Sequence, residues 1–361
     1  MMHVRASIVG CGSQGVLHAA ALARHGATIV ATCDLDDERA DRLAGRYGAR
    51  SFSGADTMFR ETVTDLVTIC TMGSTHAEIS LQALNAGAHV FCEKPFTMNV
   101  AEAVEVCRRA NTVDRRLSVD FNMRHTRQAE ALKAHMATPG FGTPVCARAW
   151  AKSEAIPWWG RHYHRADSGG GAIASTAVHL LDMALWLAQF PEPISVSAAS
   201  ARTFPGKRGR SAPTSDAANE YDVEDCAAAF IRCADGFWMT LEGSWVWNRP
   251  AYDYGLELST STGQLELTPL RVTLDTGDGY RSVVEDADTD LRLEDSVDRS
   301  IGAFMKLVNG DASGPIVTMR EAVMVQAVTD AIYLSAQRQT EVRIRDVWSE
   351  FAEEGVIACE P

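Results

Sequence analysis

From residue 4 to about 121, the apolar runs VRASIVG, TIVATCD, LVTICT, HVFCE and LSVDF alternate with GVLHAAALARHG, DERADRLAGRYG, AEISLQALNAG and NVAEAVEVCRRANTVD, whose apolar residues recur at helical spacing. Strands apolar on both faces must be covered by helices on both sides, so the pattern predicts a βαβ series folded as a Rossmann-type, doubly wound parallel sheet. After residue 143 the period changes. PVCARAWA, ISVSAAS, CAAAFIRC, FWMTLEGSWVW, YGLELSTS and GQLEL follow one another with turn residues but no helices between them. This predicts an α+β half with a large, mostly antiparallel open sheet. The change divides the chain into residues 1–122 and 123–361. A late helical pattern at 319–337 is expected on one of the sheets, with packing back onto the first domain left open. The polar, unperiodic segment at 204–220 reads as a mobile surface loop.

A chain of 361 residues can bury two cores. Its 34 basic against 47 acidic residues disfavour binding to nucleic acid or to an anionic membrane, leaving a small molecule as the expected partner. The opening MMHVRASIVGCGSQG runs directly into a strand pattern without a secretory leader, and HLLDMALWLAQF reads as too short to span a bilayer. A cytoplasmic location is the expectation. The nine cysteines form no C-x-x-C pair and are expected to be reduced and mostly buried.

The stretch GCGSQG, Gly10 to Gly15, is a G-x-G-x-x-G set between a strand and a helix. Gly10 permits the tight turn, Gly12 lets a pyrophosphate approach the backbone, and Gly15 allows close helix-to-strand packing. With Cys11, Ser13 and Gln14 these residues form the expected phosphate-binding loop at a helix N-terminus. Asp34, followed by Leu35, ends the second strand where a carboxylate accepts from ribose hydroxyls and repels a 2′-phosphate, which favours NAD over NADP. Asp34 as the cap of the next helix is the competing reading, with Asp36 able to take that place.

Only five basic residues are lysine, at 94, 133, 152, 207 and 306. Lys94, in CEKPF, leaves the sheet at the carboxyl edge where doubly wound folds bind ligands, and an ammonium can donate to a substrate hydroxyl. Pro95 fixes the local backbone, with a cis bond as one option. Further on, SGGGAIASTAVHLLD places Ser175, His179 and Asp182 on one helical face. That face is either a reaction centre or buried packing with Asp182 as a surface charge.

GCGSQG, TMGSTH, AGAHVFCEKPF, VDFNMR, SGGGAIASTAVHLLD, YDVED with FWMTLEGSW, and AIYLSA together resemble, over almost the whole chain, the family of glucose–fructose oxidoreductase, inositol dehydrogenase and rhizopine-catabolism (Gfo/Idh/MocA) oxidoreductases. The resemblance implies hydride transfer between NAD or NADP and a hydroxyl or carbonyl of a sugar, polyol or sugar derivative, by homodimers or homotetramers joined through the second-domain sheet. It implies that Lys94 and His179 are the active-site lysine and histidine and that His76 and Glu93 line the cofactor groove, alongside Cys70 and Thr71. It places Asn122 and Arg124 on the segment crossing toward the substrate domain. Two departures stand out: Ser175 replaces the aspartate usual four residues before the histidine, and Met72 with Gly73 replaces a proline and an asparagine.

Histidine suits the proton transfer that alcohol oxidation requires. The expected roles are His179 as acid/base, Lys94 stabilising the reacting oxygen and Ser175 orienting the substrate, with Asp182 the remaining carboxylate for His179. Trp158, Arg161, His162, His164 and Arg165, with Arg124, His125 and Arg127, would suit an anionic sugar if they converge, whereas a plain polyol would stack on Trp158. His162 and His164 lack a third ligand at zinc spacing, so no metal is expected. The alternatives are an NAD-dependent glycosidase or lyase acting through transient sugar oxidation, and a non-catalytic dinucleotide sensor.

Overall fold

A computed structural model describes residues 3–138, 140–154, 156–157, 161–203, 221–247, 252–286 and 293–348. The expected loop at 204–220, Trp158 and Cys359 lie outside them. Strands β1 (Arg5–Val9), β2 (Thr28–Cys33), β3 (Arg50–Phe52), β4 (Leu66–Ile69), β5 (His89–Cys92) and β6 (Leu117–Val119) form a parallel sheet in the order β3-β2-β1-β4-β5-β6. The sheet is doubly wound, as the sequence pattern implied, and its order puts the switch point between β1 and β4. Helices α1 (Ser13–Arg24), α2 (Asp37–Tyr47), α3 (Ala55–Glu61), α4 (Gly73–Asn85) and α5 (Val100–Thr112) are the crossovers. Every residue of β4 and β6 is buried, which is why those runs lack polar alternation.

The second sheet has nine strands: β7 (Pro144–Lys152), β8 (Pro193–Ala201), β9 (Cys226–Cys233), β10 (Trp238–Ser244), β11 (Asp253–Thr260), β12 (Gly263–Glu266), β13 (Leu270–Asp275), β14 (Tyr280–Asp286) and β15 (Val342–Arg343). They lie in the order β14-β13-β12-β11-β7-β10-β9-β8-β15, antiparallel except where β10 runs parallel to β7. Helices α6 (Arg127–Met136), α7 (Arg165–Ser168) and α8 (Val178–Leu187) accompany this sheet, and α8 packs on β7 and β11. The stretch Arg165–Leu187 is long and apolar enough to cross a membrane by length and composition, in contrast to the shorter run read from the sequence, but 89% of that window is buried inside the protein. It is the core helix of this unit.

Contacts sort the chain into two units, and the first is discontinuous. Among the described residues it comprises those up to His125 and Leu293–Val323; the second contains Thr126–Arg292 and 324–348. The returning segment carries α9 (Leu293–Val308) and the start of α10 (Met319–Arg338); α11 (Ile344–Trp348) lies in the second unit. Val297, Ile301, Phe304, Met305 and Val308 of α9 complete the apolar core built by Ile8, Leu22, Ile29 and Phe91. Each such side chain contributes about 1.5–3 kcal/mol on burial.

Candidate active site

At the carboxyl edge of the first sheet the glycine loop meets the constraints its spacing implied. Gly10 has φ +91°, and a Cβ there would lie 2.5 Å from the Cys70 carbonyl; one on Gly15 would lie 1.9 Å from Gly10 O. Gly12 is different: a Cβ would meet nothing within 4 Å. Gly12 also caps α1 without a side-chain hydrogen bond, and the first turn, beginning Ser13-Gln14, carries no acid. Open space before an uncapped helix N-terminus fits a pyrophosphate.

Asp34 is not the helix cap; Asp36 fills that place, accepting from the Arg39 N–H at 3.1 Å. Asp34 instead accepts from the Cys11 N–H (2.7 Å) and the Asp36 N–H (2.9 Å), joining the end of β2 to the glycine loop. Leu35 beside it is 94% exposed. Cys70, Thr71 and Met72 form the link between β4 and α4, and Met72 caps α4 through its backbone alone. His76 lies fully buried beneath this link, with Nδ1 2.7 Å from Pro95 O and Nε2 3.1 Å from Thr71 O. Burial holds its pKa below the ordinary histidine range. It joins the loop after β4 to the turn at Pro95.

Glu93 and Lys94 follow β5, and the Lys94–Pro95 peptide bond is cis. Lys94 is half-buried; burial lowers its pKa, opposed by the charges of Glu93 and Asp120. Asn122 and Arg124 lie in a short 3-10 turn, Asn122–His125, and face into their own unit. Asn122 Nδ2 donates to Ser296 Oγ (3.1 Å), while Arg124, closed to solvent, pairs with Glu321 at 2.8 Å. Arg124 thus takes part in the packing of its own unit.

In the second unit the glycine turn leads into the histidine helix. A Cβ on Gly170 would lie 1.9 Å from the Tyr333 hydroxyl oxygen, and one on Gly171 1.8 Å from Glu224 O. The Glu224 carboxylate accepts from the Gly171 N–H (2.8 Å), the Ile173 N–H (3.0 Å) and the Tyr333 hydroxyl (2.9 Å). Tyr333 in turn accepts from the Ala174 N–H at 3.1 Å. These contacts seat a π-helical turn, Ile173–Ala177, directly before α8. Such turns admit an extra residue and recur at functional sites. Ser175 Oγ lies 3.4 Å from His162 Nδ1, His179 is half-buried, and Asp182 is fully buried, which overturns its reading as a surface charge.

The basic residues upstream do not gather into one anion site. Arg161 Nε donates to Asp167 at 2.6 Å, His164 Nδ1 lies 2.8 Å from the same carboxylate, and Arg165 lies over the Tyr333 ring. His125 is buried with its pKa pulled down to about 3, first by burial and then by Arg124 and Arg299. Sequence reasoning missed His18, Asp120, Glu224 and Tyr333. Asp120, Glu224 and Tyr333 stand in VDFNMR, YDVED and AIYLSA, and His18 falls three residues after Gly15, so position in a motif was the available signal. The eight described cysteines are free thiols. Among the described residues the group with metal-ligand spacing is His18, Glu93 and Asp120, and it does not include His162 or His164.

Residues 4–121 match the model of an oxidoreductase family with an NAD-binding Rossmann fold, and residues 129–266 match the GFO/IDH/MocA C-terminal domain. D-glucoside 3-dehydrogenase of Escherichia coli (strain K12) is 28% identical over 353 residues, covering 94% of this chain and 97% of that one. Inositol 2-dehydrogenase 3 of Saccharopolyspora erythraea is 36% identical over 190 residues, covering 52% and 54%. The solved structure of levoglucosan dehydrogenase in complex with NADH and levoglucosan shares the fold, with a TM-score of 0.81 at 21% identity over 95% of this chain and 100% of that one. The chain belongs to the Gfo/Idh/MocA family of NAD-binding oxidoreductases.

Proposed function

We propose that the chain is an NAD-dependent dehydrogenase acting on a hydroxyl of a neutral sugar, glycoside or polyol. The observations carrying this reading are, in the first unit, an open phosphate cradle at Gly12 with Lys94 at the same sheet edge and, in the second, a half-buried histidine following a rigidly seated glycine turn. The nicotinamide, when bound, accepts the hydride. Lys94 donates a hydrogen bond to the substrate oxygen and stabilises its negative charge, His179 takes the hydroxyl proton, and Ser175 orients a neighbouring hydroxyl. Asp34 supports NAD over NADP, because its carboxylate repels a 2′-phosphate.

A neutral substrate is favoured over an anionic one because the nearby cations are engaged: Arg161 and His164 with Asp167, Arg124 with Glu321. The relatives named for glucosides and inositol fit that class. We place the enzyme in the cytoplasm, as a homodimer or homotetramer joined through the second sheet, where stacked Phe230 and Trp238 lie beside Arg148 and Thr240.

The test is NADH absorbance with polyols, aldoses, glucosides, uronic acids and sugar phosphates, using NAD and NADP separately. Turnover is expected with neutral substrates and NAD; preference for uronic acids or sugar phosphates would refute the neutral class. His179→Ala should keep dinucleotide affinity while kcat falls about 10²–10⁴-fold. Unchanged turnover would return His179 to packing.

A further inference from the structure

His18 projects from α1 into the first unit, wholly closed to solvent. Its Nε2 lies 3.3 Å from Glu93 Oε1 and 3.3 Å from Asp120 Oδ2. These are ion-pair distances: neither ring nitrogen of His18 nor Asp120 Oδ2 has a hydrogen-bond partner, whereas the other two carboxylate oxygens are hydrogen-bonded. Glu93 Oε2 accepts the backbone N–H of Lys94 at 3.1 Å, and Asp120 Oδ1 accepts from Ser300 of α9 at 2.7 Å. The backbone is anchored at the same place, with the Glu93 N–H donating to Ile69 O (2.9 Å) and the Asp120 N–H to Cys92 O (2.7 Å).

We propose that His18 is a positioning residue: as an imidazolium between Glu93 and Asp120, it fixes the Glu93–Lys94–Pro95 turn and so aims the Lys94 side chain. The proposal rests on the reading of Lys94 as the group that meets the reacting oxygen. Two buried carboxylates converging on one nitrogen repel each other unless positive charge sits between them. Burial works against charge on His18, and Cys70 first, then Asp120 and Glu93, outweigh it, holding the imidazole well above the ordinary histidine range. Burial works against the charged forms of Asp120 and Lys94 too; imidazolium, two carboxylates and the Lys94 ammonium together sum to zero, which suits a site largely shut off from water. The glycine-loop helix and the lysine-bearing strand are thereby tied through one side chain.

The same three ligand atoms lie within 4.8 Å of one another, a spacing that would also admit a divalent cation, so the first measurement separates the two. In the full wild-type chain at about pH 8, ¹⁵N NMR should show both ring nitrogens of His18 protonated. A neutral ring, or a stoichiometric divalent metal in the purified protein, would overturn the proposal. Because the chain has five lysines, reductive ¹³C-methylation gives a small set of signals. His18→Gln and Asp120→Asn should move the Lys94 signal and leave the other lysines in place; an unmoved Lys94 signal also overturns it.

Turnover supplies the remaining arm. Each variant should lose about 10²-fold in kcat, as expected for a displaced catalytic group, with substrate KM and dinucleotide Kd changed by less than about threefold. Combined with Lys94→Ala, neither should slow the enzyme further; additive losses would mean independent action. If Lys94→Ala alone turns over normally, the catalytic reading of Lys94 falls while the two NMR measurements still decide the positioning role. If the variants do not fold, the wild-type measurement decides it.

Discussion

Gly12 and Gly15 separate a ligand constraint from a folding constraint within one loop. Gly12 has φ −70°, open to any residue, and free space around its missing Cβ. Gly12→Ala should therefore fold with stability within about 0.5 kcal/mol of wild type, while dinucleotide Kd rises about tenfold or more by calorimetry. Gly15→Ala, whose Cβ would overlap Gly10 O, should lose stability outright. His125 offers a test of the electrostatics. Its folded pKa, about 3, lies below that of the unfolded chain, so the stability it contributes is complete above about pH 6.5 and is lost progressively as pH falls toward the folded value. Replacing it with Asn should flatten the acid limb of unfolding free energy by up to about 1.4 kcal/mol per pH unit between roughly pH 6 and 4, measured by urea titration. Equal slopes in the two chains would remove His125 from the acid response.

Among the elements, the π-turn before α8 depends most heavily on partners distant in sequence. Glu224→Gln replaces one of the three acceptor arrangements around Gly171, Ile173 and Tyr333 with a donor. It should cost about 1–3 kcal/mol and lower kcat while leaving dinucleotide affinity unchanged; a wild-type kcat would separate this seat from the chemistry. The element pattern explains what could be read in advance. Strands such as β4 and β6, buried on both faces, announce themselves by composition, and the glycine loop obeys local steric rules. The three residues of β3 and the seven of α3 are too short to show a period, and β13 and β14 carry Arg271, Arg281 and Asp275 among their apolar residues. The π-turn breaks the helical spacing on which the face of Ser175, His179 and Asp182 was drawn. The ion pair of Arg124 was hidden for another reason: its partner, Glu321, lies 197 residues away, and no local pattern announces such a pairing.

At the scale of the whole molecule, the first core is incomplete without α9. A fragment spanning residues 1–125 contains all six parallel strands but lacks Val297, Ile301, Phe304, Met305 and Val308. That fragment should retain helical far-UV signal yet bind ANS and lack near-UV fine structure, whereas one fused by a short linker to 293–323 should recover cooperative melting. A cooperatively melting 1–125 fragment would show that α9 is dispensable. The order in which the chain is made gives this architecture a temporal consequence. Residues 126–292 must be synthesised between the sheet and the helix that seals it, a delay of roughly 10–30 s at ordinary ribosome speeds. During that interval the nascent sheet exposes the surface α9 will cover, so cellular yield should depend on chaperones that shield it until translation reaches residue 308.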